Sequence, residues 1–299
     1  MARRYAAADI GSNTVHLLVA EITPTGIRQL MSESNWLSLG EVVSREKIIP
    51  PKVEQSLIDS LKVYRKAATE LGAPKLQVFA TEAMRIAQNH EEVLKRIRTE
   101  SGVNVEVISA IREAELSLLG TSLDTHFDGP HLMIEVGGGS VQVALCEDGK
   151  ILDEHSLSIG TGRLKAKFNL EQPSNPEVIS QVRHYCRSLF ERCPKPERLE
   201  GVVASGGVAR GLLRALHPDG APILRLFEVD YLVRSVAELT EKQICRRFHV
   251  KGKRAGTLLC GSIIFQEMLR HYYQDRFTVS EFGVREGAVL EQASEPVLK

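Results

Sequence analysis

The chain has 299 residues, 43% of them hydrophobic and 25% charged, an ordinary balance for a soluble globular protein of about two domains. Its 38 basic and 38 acidic residues cancel to a formal net charge of zero, which excludes a global attraction for nucleic acid or an anionic membrane, so any polyanion site has to be local. No apolar run reaches transmembrane length, the start Met1-Ala2-Arg3-Arg4-Tyr5 reads as a strand rather than a secretory segment, and the five cysteines show no C-x-x-C spacing; a cytoplasmic protein is expected, with buried, reduced cysteines and neither a disulfide framework nor a zinc site.

In chain order, residues 5–22 read as strand, turn and strand, and 27–31 as a third strand. Leu57, Leu61, Tyr64, Ala68 and Leu71 recur at spacings of four and three, which predicts an amphipathic helix between the Pro50-Pro51 stop and Gly72-Ala73-Pro74. Leu76, Val78 and Ala80 alternate as a strand, 91–99 reads as helix, 103–108 as strand and 113–119 as helix. Residues 124–130 carry no periodicity, and a domain boundary is expected there. The second half opens with Leu132-Met133-Ile134. Val178, Val182, Tyr185 and Leu189 mark a helix, Val202-Val203-Ala204 a buried strand, and Ser205-Gly206-Gly207 a turn into another helix. Helices over 229–248 and 258–272, a strand at 278–280 and a final helix from near Arg285 complete an α/β order.

Two turns stand out. Asp9-Ile10-Gly11-Ser12-Asn13-Thr14 and Glu135-Val136-Gly137-Gly138-Gly139-Ser140 lie 126 positions apart, each between apolar runs. In one register Asp9 falls on Glu135, Gly11 on Gly137 and Thr14 on Ser140, while Leu17 and Val19 match Val143 and Leu145. This is the mark of an internal duplication. Each copy runs on to a Gly-containing reversal, Thr25-Gly26 or Asp148-Gly149, and so reads as a hairpin. Glycine lets backbone N–H groups approach an anion closely, and the neighbouring carboxylate can hold Mg²⁺ beside a phosphate. One such turn alone would read as a plain hairpin with a capping Asp; two copies with the acid in the same register favour phosphate binding.

These turns occur in order with Ala80-Thr81-Glu82-Ala83-Met84-Arg85, the Val107-Ile108-Ser109 strand leading to Glu113-Ala114, Ala204-Ser205-Gly206-Gly207 and Gly283-Val284-Arg285-Glu286-Gly287. The set resembles the Ppx/GppA family of exopolyphosphatases and guanosine pentaphosphate phosphohydrolases, of the short, two-domain type, over nearly the whole chain. The resemblance implies an α/β fold of two ribonuclease-H-like domains of the sugar kinase/Hsp70/actin superfamily with an interdomain cleft. The domains would be residues 1–123, completed by the C-terminal helix 285–299, and 124–284.

The same resemblance implies a metal-dependent phosphoanhydride hydrolase acting on polyphosphate or guanosine pentaphosphate. Glu113 would be the catalytic base, Asp9 and Glu135 the ligands of Mg²⁺ or Mn²⁺, and Gly11, Ser12, Asn13, Thr14, Thr81, Arg85, Gly137, Gly138, Gly139, Ser140, Gly206 and Gly207 the phosphate-binding residues. It admits a homodimer, and no nucleic acid or membrane partner. A carboxylate at Glu113 can accept the proton of an attacking water, although an acid in the first turn of a helix also simply complements the macrodipole. Arg85 can bind phosphate through both guanidinium nitrogens, or be a solvated helix residue. The basic clusters Arg246, Arg247, His249, Lys251, Lys253, Arg254 and Arg163, Lys165, Lys167 read first as solvated surface and second as a guide for a polyphosphate chain. His16 reads as an ordinary strand residue.

Three positions depart from the family pattern: Glu135 replaces the usual Asp, Gln142 the usual Glu, and Arg112 the carboxylate before Glu113. A longer arm at Glu135 and a lost charge at Gln142 weaken a Mg²⁺ site, and a cation at Arg112 keeps Glu113 ionised and lowers its basicity. A catalytically weak sensor of guanosine polyphosphate or polyphosphate is therefore the alternative expectation, and a sugar-kinase-like phosphotransferase a more distant one.

Overall fold

The computed structural model describes residues 3–24, 26–193 and 195–294. Met1, Ala2, the turn residue Thr25 and positions 295–299 of the expected C-terminal helix lie outside them. The chain divides into two compact units. Unit 1 takes in the described residues up to Leu123 and those from Phe282 onward; unit 2 is Asp124–Glu281.

In unit 1, β1 (Arg4–Ile10), β2 (Thr14–Thr23) and β3 (Gly26–Trp36) form an antiparallel meander. Helices α1 (Leu39–Glu46) and α2 (Pro51–Glu70) lead to β4 (Leu76–Ala80), and α3 (Glu82–Ile86) and α4 (His90–Ser101) to β5 (Val105–Val107) and α5 (Ala110–Thr121). Parallel pairing of β1 with β4 and of β4 with β5 completes the order β3-β2-β1-β4-β5, the ribonuclease-H-like arrangement. β1 is buried on both faces. Ala6, Ala8 and Ile10 join Val15, Leu17 and Val19 in the core beneath α2, while Ala7 meets Leu18, Ala20 and Phe79 on the opposite face.

Pro51, pre-set for the first helical turn, starts α2. Tyr64 then ties the helix to the sheet by donating from its hydroxyl to the Val15 carbonyl at 2.9 Å. Burial pushes the Tyr64 phenol up to about 12. The folded form therefore keeps its proton at a pH where the unfolded chain, titrating near 10, gives it up. The Tyr64 contribution is complete below pH ~10 and falls as pH rises toward ~12. Urea denaturation at pH 9 and pH 11 is expected to show a larger loss of stability for the wild type than for Tyr64→Phe. Equal losses would remove this assignment.

Unit 2 contains β6 (His131–Val136), β7 (Val141–Glu147), β8 (Lys150–Leu157), α6 (Thr161–Phe168), α7 (Pro176–Phe190), β9 (Gly201–Ser205) and α8 (Gly206–Leu216). It continues through β10 (Ile223–Arg225), α9 (Leu226–Ala237), α10 (Glu241–Phe248), α11 (Gly252–His271) and β11 (Arg276–Val279). Its strand order, β10-β11-β9-β6-β7-β8, repeats that of unit 1 with β10 added at an edge.

The repeat extends to single hydrogen bonds. Gly11 N–H donates to the Thr14 carbonyl at 3.0 Å, and Gly137 N–H to the Ser140 carbonyl at 2.9 Å. Asp9 stands across from His16 and Glu135 across from Gln142. The register shifts between Val19 and Ala20 in one hairpin and between Leu145 and Cys146 in the other, which are equivalent positions.

Beyond unit 2, α12 (Val284–Ser294) returns to unit 1 and packs on α5. The two helices meet backbone to backbone: a Cβ on Gly287 would stand 1.8 Å from the Leu116 carbonyl oxygen, and one on Gly120 would stand 2.0 Å from that of Gly283. Glu286 accepts from the Gly283 N–H at 2.9 Å, so the Gly283-to-Gly287 motif builds this junction. At the ends of unit 2, the Asp124 carboxylate accepts from the Ser280 hydroxyl at 2.6 Å and the Glu281 N–H at 2.8 Å.

The structure differs from expectation in five short helices or strands, α1, α3, β8, α6 and β10, and in β3, which runs on to Trp36. None of the five exceeds eight residues, too few turns or alternations for periodicity to register. The five cysteines are free thiols; four are buried and Cys245 is half-buried. Burial pushes the Cys193 thiol up to about 11 and Cys146 up to about 12, consistent with a packing role. Among the described residues, no helix is long and apolar enough to cross a membrane.

Candidate functional site

In open parallel sheets, ligands gather beyond the carboxyl ends of the strands. In unit 1 the segments that follow β1, β4 and β5, three adjacent strands, are 11–13, Thr81 to Arg85 and Ser109 to Glu113. Topology alone therefore brings the predicted unit 1 residues to one edge. Ser109 caps α5 by accepting from the Arg112 N–H at 3.2 Å, and Glu113 follows in the first turn with its side chain 20% exposed. Both terminal nitrogens of Arg85 lie 3.3 Å from Glu113 Oε2, and Nη1 also donates to the Ile108 carbonyl at 2.6 Å.

Arg85 therefore places a cation on Glu113. The adjacent Arg112 pairs with Glu291 of α12 and, at 3.3 Å, with Glu115. In the first turn of α5 the Arg112 guanidinium is drawn to the acids of α5 and α12.

The first loop is held from behind. The Ser12 carbonyl accepts from Gly40 N–H at 2.7 Å, and the Asn13 carbonyl from Leu37 and Ser38 N–H at 2.9 and 3.0 Å. Across a trans peptide the N–H opposes the preceding carbonyl, so the Asn13 and Thr14 N–H groups are directed away from this brace. Ser12 is turned inward: it is buried, and its hydroxyl donates to Glu82 Oε2 at 3.1 Å. Thr81 is also buried, its hydroxyl 3.5 Å from the Ile10 carbonyl. Both side chains brace the loop in this structure, while the backbone faces outward.

In unit 2 the segments following β6, β9 and β11 are likewise adjacent. The carbonyls of Gly137 and Gly138 accept from Thr161, Gly162 and Arg163 N–H at 3.0–3.1 Å, and the Gly139 carbonyl from Arg163 Nε at 2.9 Å. The same peptide geometry sends the N–H groups of Gly138, Gly139 and Ser140 the other way, an arrangement with the chemistry to hold an anion. Glycine is obligatory at two neighbouring points. Gly206 has φ +84° and a Cβ there would stand 3.0 Å from Glu135 Oε1; a Cβ on Gly160 would meet the Gly138 carbonyl carbon at 2.5 Å. Ser205 donates to Glu135 Oε2 at 3.1 Å.

Each glycine loop is thus backed by an eight-residue helix, α1 or α6, whose second residue is a glycine that donates to the loop. Sequence reasoning missed both helices. Gly40 and Gly162 are 122 positions apart while the loops are 126 apart, so a fixed register hides the match.

The basic clusters resolve into separate roles. Lys165 pairs with Glu241 at 2.9 Å, Lys167 lies 4.8 Å from the Tyr185 ring centroid, and Arg247 donates to the Tyr231 hydroxyl at 2.8 Å. Arg254 differs: its guanidinium lies in a groove made by Gly207 and Gly211 on the first turns of α8, with Nη2 2.6 Å from where a Gly207 Cβ would stand. Burial, with Arg210 and Arg214 nearby, lowers the Arg254 pKa, and no carboxylate among the described residues offsets it. A half-buried guanidinium beside a helix N-terminus has the chemistry to receive an anion.

The predicted metal ligands fit a hard divalent cation. Both Asp9 carboxylate oxygens lie over the Gly11 turn, 3.6 and 3.9 Å from where a Cβ would stand, so glycine leaves the space before them open. Among the described residues no three His, Cys, Asp or Glu side chains gather as a metal cage. Mg²⁺ commonly combines one or two carboxylates with waters and substrate phosphate oxygens.

The Ppx/GppA phosphatase family model matches residues 18–295. The chain belongs to this family. It is 27% identical over 303 residues to Exopolyphosphatase 1 of Mycobacterium tuberculosis, covering 97% of this chain and 88% of that protein. The crystal structure of the Aquifex aeolicus Ppx/GppA family member matches with a TM-score of 0.85 at 27% identity, covering 98% of each chain. An exopolyphosphatase structure from Cytophaga hutchinsonii, 23% identical, shares the fold with a TM-score of 0.87 over 97% of each chain. With the repeated β3-β2-β1-β4-β5 order, the fold is that of the sugar kinase/Hsp70/actin superfamily.

Proposed function

We propose that the protein hydrolyses the terminal phosphoanhydride bond of inorganic polyphosphate or guanosine pentaphosphate, with Glu113 as general base. The observation that carries this reading is the Glu113 carboxylate at the carboxyl edge of the unit 1 sheet, partly exposed and held by Arg85. Water attacks the terminal phosphorus, its proton passes to Glu113, and the bridging oxygen leaves with the shortened chain. The outward N–H groups of the two loops bind phosphate oxygens. Asp9 and Glu135 would hold Mg²⁺ or Mn²⁺, which when bound supplies charge neutralisation at those oxygens. Arg85 orients the base and is within reach of a phosphate that approaches it. The relatives named exopolyphosphatase favour polyphosphate as the substrate.

Orthophosphate release from short polyphosphate, long polyphosphate and guanosine pentaphosphate, with and without divalent metal, tests the proposal. Release from none of the three would end it. A binding-only sensor is the second reading, favoured by the Arg85 guanidinium on Glu113, since a cation there disfavours proton uptake. Tight binding without release would establish it.

Arg254→Met is expected to weaken polyphosphate binding roughly 10- to 100-fold, the worth of a hydrogen bond to a charged group, read as KM. The melting temperature should hold or rise, because a half-buried charge with Arg210 and Arg214 nearby has been removed. An unchanged KM would remove Arg254 from the binding machinery.

A further inference from the structure

The two glycine loops are braced alike at one carbonyl and unlike at the next. Gly40 N–H holds the Ser12 carbonyl at 2.7 Å, and its counterpart, Gly162 N–H, holds the Gly138 carbonyl at 3.0 Å. One residue on, the first loop still relies on main chain, the Asn13 carbonyl accepting from Leu37 and Ser38 N–H. The corresponding carbonyl of the second loop, that of Gly139, accepts instead from a side chain, Arg163 Nε at 2.9 Å. The residue after the bracing glycine is Glu41 in α1 and Arg163 in α6, so the repeat changes charge at this point.

Helix formation does not call for that cation. Arg163 lies in the first turn of α6, where the macrodipole favours an acid, and Glu41 obeys that preference in α1. The use of an arginine lies in the loop. Three consecutive glycines leave the backbone before Ser140 free to turn the Gly139–Ser140 peptide over and present either its oxygen or its N–H. A charged donor on the Gly139 carbonyl selects one orientation, because across a trans peptide the Ser140 N–H then points the opposite way. The Arg163 main chain adds a second anchor, its N–H donating to the Gly138 carbonyl at 3.1 Å.

We propose that Arg163 is a positioning residue for phosphate: its Nε–H locks the Gly139–Ser140 peptide with the Ser140 N–H turned toward the anion. This assigns Arg163 to the loop, not to a surface guide for a polyphosphate chain, and it rests on the reading of that loop as phosphate-binding.

Two substitutions separate the bond from the charge. In Arg163→Gln the side-chain amide nitrogen falls at the atom position of Nε and keeps a donor without a charge, whereas Arg163→Met puts a methyl group there. Binding of orthophosphate and of tripolyphosphate to the full chain, read by calorimetry without turnover, should weaken roughly 10- to 100-fold in Arg163→Met, the worth of a hydrogen bond to a charged group, and be largely restored in Arg163→Gln. In polyphosphate hydrolysis the same loss should fall on KM more than on kcat. Melting curves establish that the variants fold; should Arg163→Met not fold, loss of binding in Arg163→Gln still refutes the assignment and retained binding supports it. Wild-type affinity in a folded Arg163→Met overturns the proposal, as does an equal fall in both variants, which would leave Arg163 acting through charge alone. Failure of the wild type to bind either anion would end the phosphate role of the loop and this proposal with it. Binding without hydrolysis would withdraw only the general base and leave Arg163 in its place.

Discussion

Glu113→Gln is expected to leave the protein folded and to lower orthophosphate release roughly 10²- to 10⁴-fold, the span of a positioned general base. Glutamine keeps the shape of the side chain and an oxygen to accept from Arg85, but it cannot take a proton from water. The helix start does not depend on the substituted group: Ser109 still caps Arg112, and the Glu113 N–H still bonds the Ser109 carbonyl at 3.0 Å. The loss should fall on kcat, with KM little changed, because the interaction removed acts in the transition state. Circular dichroism and a melting curve establish that the fold persists. A folded variant that turns over at the wild-type rate would withdraw the base from Glu113, and the expected metal dependence alone would not restore it.

Gly287→Ala is expected to be the most destabilising small substitution in unit 1. The added methyl would lie 1.8 Å from the Leu116 carbonyl oxygen and 3.1 Å from the Gly120 nitrogen. Both obstacles are backbone, so relief requires α12 and α5 to separate. Overpacking costs about 1–3 kcal/mol where side chains can yield, and the upper end or more is expected here. This corresponds to a fall of roughly 6–12 °C in the melting temperature of a unit of this size. Gly252→Ala is the control: nothing lies within 4 Å of its Cβ position, and it should shift melting little. A Gly287→Ala shift as small as the control would show that the helices do not pack this closely. Activity should also fall, because α5 carries Glu113.

Much of this was legible in the sequence for a physical reason. Alternating apolar residues report a strand with a buried face, and the 126-residue repeat carries through to the bulges at Val19 and Leu145. The long helices α2, α7 and α11 contain enough turns for their spacing to register. What escaped depends on proximity across the chain. The position of Arg85 on Glu113 needs β4 beside β5, 28 residues of separation that no local pattern spans. Ser12 looked like a phosphate donor until Glu82, 70 residues on, took its hydroxyl. Arg254 was one basic residue among several in sequence, and only the Gly207–Gly211 groove distinguishes it. The alignment of Asp9 with Glu135 was visible, whereas the helices bracing their loops were hidden by unequal spacers.

The return of α12 to α5 has a consequence for biosynthesis. Unit 2 is contiguous, so a ribosome delivers all of it before the final helix of unit 1 exists. The Asp124 carboxylate closes the unit 2 segment on itself through the Glu281 N–H, with no group from α12. The chain order thus leaves unit 1 incomplete, with the α5 surface that meets Gly287 uncovered, until residues beyond unit 2 have been made.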